Sequence, residues 1–142
     1  MKITQQDRDM ARAVFINNFH SNKSDEDIFY EMCFCICAPQ TTFKNNYKVI
    51  TELRRIDYYH FTSHQLYLEG SEEEFLWKFV KPVRFFRNKS KWLAEARRKF
   101  SDILFTLGSV ADEQSKRGWL VQNVKGLGWK TASHFLRNLG LS

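Results

Sequence analysis

A lysine two residues beyond a Gly-x-Gly turn can do chemistry as well as hold charge. Here the segment is Gly126-Leu127-Gly128-Trp129-Lys130. Glycine at both hairpin positions lets the backbone take positive φ and approach another molecule closely. A helix starting just after the turn offers free N–H groups and a dipole that favour a phosphate. Lys130 brings an amine to the same place, in a first turn where the dipole disfavours a cation. Partial burial would add to that preference for the free amine. Such an amine can attack the sugar C1′ of a flipped nucleotide and form a Schiff base. Spacing by itself favours a plainer role, a phosphate contact in a non-enzymatic hairpin.

The elements that must position this turn are helices. Apolar residues in Leu120-Val121-Gln122-Asn123-Val124 lead in, and Ala132, Phe135, Leu136 and Leu139 lead out at helical spacing. The pattern predicts a first hairpin helix over Asp112 to Asn123 and a second over Thr131 to Leu139, with the whole hairpin at about 117–139 and Gly140 as its C′ glycine. Upstream, Met1 to Phe19 carries apolar residues at helical spacing. Ser24-Asp25-Glu26-Asp27 is a capping box that opens an all-round apolar helix, Ile28 to Cys37. A break at Ala38-Pro39-Gln40-Thr41-Thr42 precedes a helix whose stripe reads Phe43, Tyr47, Ile50 and Leu53. Arg54 to Gly70 is weaker, with short helical turns. Ser71 caps a helix through Phe75 to Val80 that Pro82 ends, and Asn88 or Ser90 is the expected cap of Lys91 to Phe100. Ile103-Leu104-Phe105 continues until Gly108. Period-2 alternation is almost absent, and there is no internal repeat, low-complexity tract or linker. The expectation is an all-α helical bundle forming one domain over 1–142.

Composition narrows the partners. The chain is 43% apolar over 142 residues, enough for a real core, and its 13 Phe, 5 Tyr and 4 Trp make that core unusually aromatic. The net charge of +6 is uneven: residues 1–77 carry 8 Lys/Arg against 12 Asp/Glu, and residues 78–142 carry 14 against 4. The basic half holds the hairpin, which points to a polyanion such as nucleic acid over a merely solvated face. No apolar run suits a membrane span, and the N-terminus lacks a signal-peptide core, so a cytoplasmic protein is expected. Cys33, Cys35 and Cys37 are an odd cluster without a partner His or Cys pair, and read better as small core residues than as metal ligands.

The hairpin Gly126-Leu127-Gly128-Trp129-Lys130 resembles that of DNA glycosylases of the endonuclease III and 8-oxoguanine glycosylase superfamily. Three further segments resemble the type-2 8-oxoguanine DNA glycosylase/AP lyase family of archaea and some bacteria. They are Cys33-Phe34-Cys35-Ile36-Cys37-Ala38-Pro39-Gln40-Thr41, Val83-Arg84-Phe85-Phe86-Arg87-Asn88-Lys89-Ser90-Lys91-Trp92 and Ala132-Ser133-His134-Phe135-Leu136-Arg137-Asn138-Leu139-Gly140. Order and spacing agree too, so the resemblance covers most of the chain. It implies a helix-hairpin-helix glycosylase fold with Lys130 as the Schiff-base nucleophile. It implies excision of 8-oxoguanine followed by β-elimination at the abasic site. Gln40 would fill the stack left by the flipped base; by itself it reads as a loop residue that caps the helix starting near Thr42. Lys125, Gly126, Gly128, Arg84, Arg87 and Lys89 would contact DNA, with the rings of Phe85, Phe86 and Trp92 packed inward. His134, one turn beyond Lys130, reads first as a structural histidine. The implied partner is double-stranded DNA containing oxidised guanine or abasic sites, bound by a monomer, nucleoid-associated in a prokaryote, with no metal or cofactor.

One family feature is missing. Relatives carry an aspartate after the helix that begins near this lysine, and it is thought to activate the amine and stabilise the cationic sugar. None of the 12 residues after Lys130 is acidic. The segment that relatives use to read the oxidised base is missing as well. The chain is therefore expected to be an incomplete glycosylase domain, with weak or no base excision and surviving lyase activity. Two alternatives stay open: a non-catalytic helix-hairpin-helix module or one part of a split glycosylase, and a glycosylase of other base specificity.

Overall fold

The centre of the molecule is a helix apolar on nearly every side. The computed structural model describes residues 23–62 and 70–141. The helix expected over Met1 to Phe19 lies outside them. Helix α1 spans Asp25–Cys37 and buries Ile28, Phe29, Tyr30, Met32, Cys33, Cys35, Ile36 and Cys37. Its start is the expected capping box: Asp27 N–H donates to Ser24 Oγ at 3.1 Å, and Ser24 N–H donates to the Asp27 carboxylate at 3.3 Å. All three cysteines are free and buried. Burial pushes the Cys35 and Cys37 thiols up to about 12 and Cys33 well above its ordinary value.

Around α1 stand α2 (Phe43–Arg55), a 3-10 turn (Tyr58–His60), α3 (Glu72–Val80), α4 (Phe86–Arg98), α5 (Phe100–Leu107), α6 (Glu113–Asn123) and α7 (Trp129–Asn138). No strand occurs among the described residues, as the all-α expectation requires. Helix α1 packs against α2, α4, α7 and the 3-10 turn, while α3 pairs with α4 and α6 with α7. No helix among the described residues is long and apolar enough to cross a membrane.

The aromatic residues do the expected work inside. Phe29 sits within 5.2–5.8 Å, ring to ring, of Tyr30, Tyr58, Tyr59 and Phe100. Beside them is a buried charge. Glu72 is only 4% exposed, yet it accepts from Tyr58 Oη at 2.6 Å, Arg97 Nε at 2.7 Å and Arg97 Nη2 at 2.9 Å. A buried carboxylate is tolerable only when paired and hydrogen-bonded in this way.

Helices α2 and α4 depart from the expected pattern. The α2 stripe is rotated from the expected one. Phe43 and Tyr47 are 71% and 61% exposed, and Asn46, Val49, Ile50 and Leu53 face inward. Asn46 can occupy that face because its Nδ2 donates to the Phe34 carbonyl of α1 at 3.0 Å. Helix α4 begins at Phe86, not at Lys91, and neither Asn88 nor Ser90 caps it. Its N-cap is Phe85, at φ 57°, with no side-chain cap bond. The buried face runs through Lys89, Ser90, Leu93, Ala94 and Ala96, so both polar residues belong inside the helix.

Candidate nucleic-acid interface

The hairpin is held from below by its apolar residues. Leu120, Val124 and Leu127 are buried, while Lys125, Gly128, Trp129 and Lys130 are exposed. Lys99 Nζ donates to the Asn123 carbonyl at 2.8 Å and so fixes the end of α6. Arg117 Nη1 donates to Ser133 Oγ at 2.8 Å, tying α6 to α7, and its guanidinium lies 5.6 Å from the Trp129 ring. At the far end, Gly140 at φ 78° closes α7 with the expected C′ geometry. Gly140 N–H donates to Arg137 O, and Leu141 N–H donates to Leu136 O, each at 2.9 Å.

The two glycines serve different needs, which corrects the shared role expected for them. Gly126 has φ 95°, and a Cβ there would meet Ile36 Cγ2 and Trp92 Cε3, each at 3.0 Å. Its constraint is internal. Gly128 has φ −80° and ψ −179°, which other residues adopt, and a Cβ there would meet nothing within 4 Å. It is the N-cap of α7 and makes no side-chain cap bond. Helix α7 starts at Trp129, two residues earlier than predicted, which makes Lys130 its second residue. The first intrahelical bond is from Ala132 N–H to Gly128 O at 2.8 Å. The amides of Trp129, Lys130 and Thr131 are therefore the orphan donors of a helix start that opens to solvent.

Lys130 is exposed, so partial burial adds nothing to the effect of the helix start. Its side chain lines a cavity of about 410 Å³ with Phe34, Cys35, Ala38, Pro39, Thr131, His134 and Asn138. His134 is thus no core histidine. It is exposed and shares the cavity with the amine. The spacing of four on one helix was the signal for that placement. No carboxylate lines this cavity among the described residues.

The opposite wall of the cavity leads into the Gln40 turn. Ala38 and Pro39 line it, and Gln40 follows, exposed, with φ 57°. Thr41 N–H donates to Ala38 O at 3.1 Å and closes the turn. Gln40 does not cap the next helix. Thr42 does, accepting from Asn45 N–H at 3.2 Å. Of the basic residues expected at the surface, Arg84, Arg87 and Lys125 are exposed. Arg84 lies 4.9 Å from the Phe85 ring, and Arg87 lies 4.8 Å from that of Trp77. Phe85 is itself 52% exposed, not packed inward as expected.

Lys89 corrects the expectation of a DNA contact. It is 2% exposed, and its Nζ donates to Cys37 O at 2.9 Å, Pro39 O at 2.6 Å and Thr41 Oγ1 at 3.2 Å. Burial pushes its amine below the ordinary lysine range, while the Cys37 side chain opposes that shift. An ammonium has three donors, and all three are used within the protein.

A family model described as 8-oxoguanine DNA glycosylase matches residues 11–142. An 8-oxoguanine DNA glycosylase/AP lyase of Fusobacterium nucleatum is 40% identical over 131 residues, covering 87% of this chain and 55% of that protein. One from Korarchaeum cryptofilum is 34% identical over 130 residues, covering 88% and 56%. The crystal structure of Methanocaldococcus jannaschii 8-oxoguanine DNA glycosylase superposes with a TM-score of 0.67 at 26% identity, over 99% of this chain and 68% of that one. The chain spans about half the length of the relatives it matches.

Proposed function

Because the chain belongs to the 8-oxoguanine DNA glycosylase family, we propose that it acts in DNA base-excision repair, with Lys130 as a Schiff-base nucleophile. The observation that carries this reading is the position of the amine. Lys130 stands on the wall of a cavity, one residue into a helix whose free amides face solvent. A DNA strand held by those amides, Lys125, Arg84 and Arg87 would present a flipped nucleotide to that cavity.

The chemistry then follows from the amine. At an abasic site Nζ adds to the C1′ aldehyde and water leaves, giving an iminium. The iminium acidifies the C2′ proton. Loss of that proton expels the 3′ phosphate and cuts the strand by β-elimination. Excision of 8-oxoguanine itself needs more: Nζ attacks C1′ while the bond to the base breaks, and the departing base takes up a proton. A carboxylate assists that step by stabilising the cationic sugar. None lines the cavity among the described residues, whereas the lyase step calls on the amine itself. The same observation favours a second reading, a DNA-binding module without catalysis.

Borohydride trapping decides between them. Duplexes with an abasic site or with 8-oxoguanine are incubated with the protein and reduced. A covalent adduct is expected with the abasic duplex and is lost in Lys130→Gln. No adduct on either substrate overturns the enzymatic reading and leaves the binding module.

A further inference from the structure

The geometry points to Lys89 as a positioning residue that clamps the Gln40 turn in the shape that presents Gln40 to DNA. The inference rests on the reading of Gln40 as the residue that fills the vacated stack. Gln40 occupies the left-handed region at φ 57°, where a side chain other than glycine is disfavoured. Such a conformation persists only when its surroundings over-determine it. The surroundings here are the three acceptors on Lys89. They come from Cys37, Pro39 and Thr41, residues on both sides of Gln40. Thr41 Oγ1 also accepts from Arg84 N–H at 3.1 Å, just before the N-terminus of α4. The turn is therefore tied to α4 through Lys89 and to the segment before it through Arg84, and Gln40 is exposed beside these ties.

A purely structural lysine would need acceptors anywhere in the core. These acceptors instead bracket one residue, beside the cavity that holds Lys130. The amine is too buried to meet a phosphate. Its effect on DNA must pass through the turn, which makes coupling to Gln40 the measurable property.

The test uses binding, so it does not depend on Lys130 chemistry. Affinity is measured for a duplex carrying an uncleavable abasic analogue and for the same strand alone, which has no opposite base to orphan. The ratio is compared for the parent, Gln40→Ala, Lys89→Met and the double variant, with unfolding curves for each. Gln40→Ala and Lys89→Met are each expected to lower the duplex preference by about 10-fold, within the range of coupled neighbours. The double variant is expected to lose no more than either single one. A 2-aminopurine opposite the analogue should report the same pattern through its fluorescence. If Gln40→Ala lowers the ratio and Lys89→Met does not, or if the two losses multiply, the clamp is overturned. If Gln40→Ala itself leaves the ratio unchanged, the stack-filling reading fails, and the clamp falls with it by a distinct result. Should Lys89→Met fail to fold, Thr41→Val removes the side-chain acceptor shared by Lys89 and Arg84. It is expected to lower the ratio, and a parental value overturns the clamp.

Discussion

Gly126 and Gly128 lie two residues apart, yet alanine at each should fail in opposite ways. At Gly126, φ 95° places an alanine in disfavoured backbone space, at about 1–2 kcal/mol. The new methyl would stand 3.0 Å from both Ile36 Cγ2 and Trp92 Cε3. The indole is rigid and cannot swing aside as the end of a lysine would. Overpacking of this kind costs about 1–3 kcal/mol. Gly126→Ala is therefore expected to lose about 2–5 kcal/mol, read as a fall in the urea midpoint at unchanged m. Gly128→Ala meets no atom within 4 Å and keeps an allowed backbone, so its stability should stay within about 1 kcal/mol of the parent. Its methyl instead projects beside the open amides, and DNA affinity should fall. The assays are urea unfolding and DNA binding at several salt concentrations. The reasoning is refuted if Gly126→Ala unfolds within about 0.5 kcal/mol of the parent, a typical surface value. It is equally refuted if Gly128→Ala binds DNA as the parent does.

Three other perturbations probe the frame. Arg97→Met strands the buried Glu72 carboxylate with Tyr58 as its principal remaining partner, and should cost about 3–5 kcal/mol, visible in thermal melts. Lys99→Met removes the donor on the Asn123 carbonyl and should cost about 1 kcal/mol, with amide exchange rising first in α6. Asp112 is held below the ordinary carboxyl range by Ser115 N–H and then by the Ser115 hydroxyl. A depressed folded value means the cap stabilises above the unfolded value near pH 4 and fades as pH falls through the folded one. Asp112→Asn keeps a cap oxygen without that titration, so urea midpoints between pH 2 and 5 should fall less steeply than in the parent.

The hairpin was legible because glycine, capping and apolar spacing are local signals, and they agree. Ser24 and Asp27 were legible for the same reason. Lys89 was not, because the run from Arg84 to Lys91 looks like a uniform basic face. A signal existed even so: Lys89, Leu93 and Ala96 lie on one stripe of α4, and all three are buried. Lysine is rarely buried, and it is tolerated here because two carbonyls and the Thr41 hydroxyl accept from its ammonium. His134 was misread for the converse reason. Its helix face was right, but only tertiary packing reveals that α7 opens a cavity on that side. The rotation of α2 turned on Asn46 finding the Phe34 carbonyl, a contact 12 residues away that no local pattern encodes.

The three thiols of α1 carry a consequence for life under oxidants. Peroxides attack thiolates, and burial pushes the Cys35 and Cys37 thiols up to about 12, which keeps them protonated at neutral pH. Cys33 and Cys37 are sealed at 0% exposure and Cys35 at 4%. Oxygen added at Cys33 or Cys37 would have to open the central helix, whereas Cys35 borders the Lys130 cavity. Guanine is oxidised in DNA when such oxidants are abundant. The helix that lines the Lys130 cavity thus keeps its thiols protonated, the form that peroxide attacks least, under the conditions that oxidise guanine.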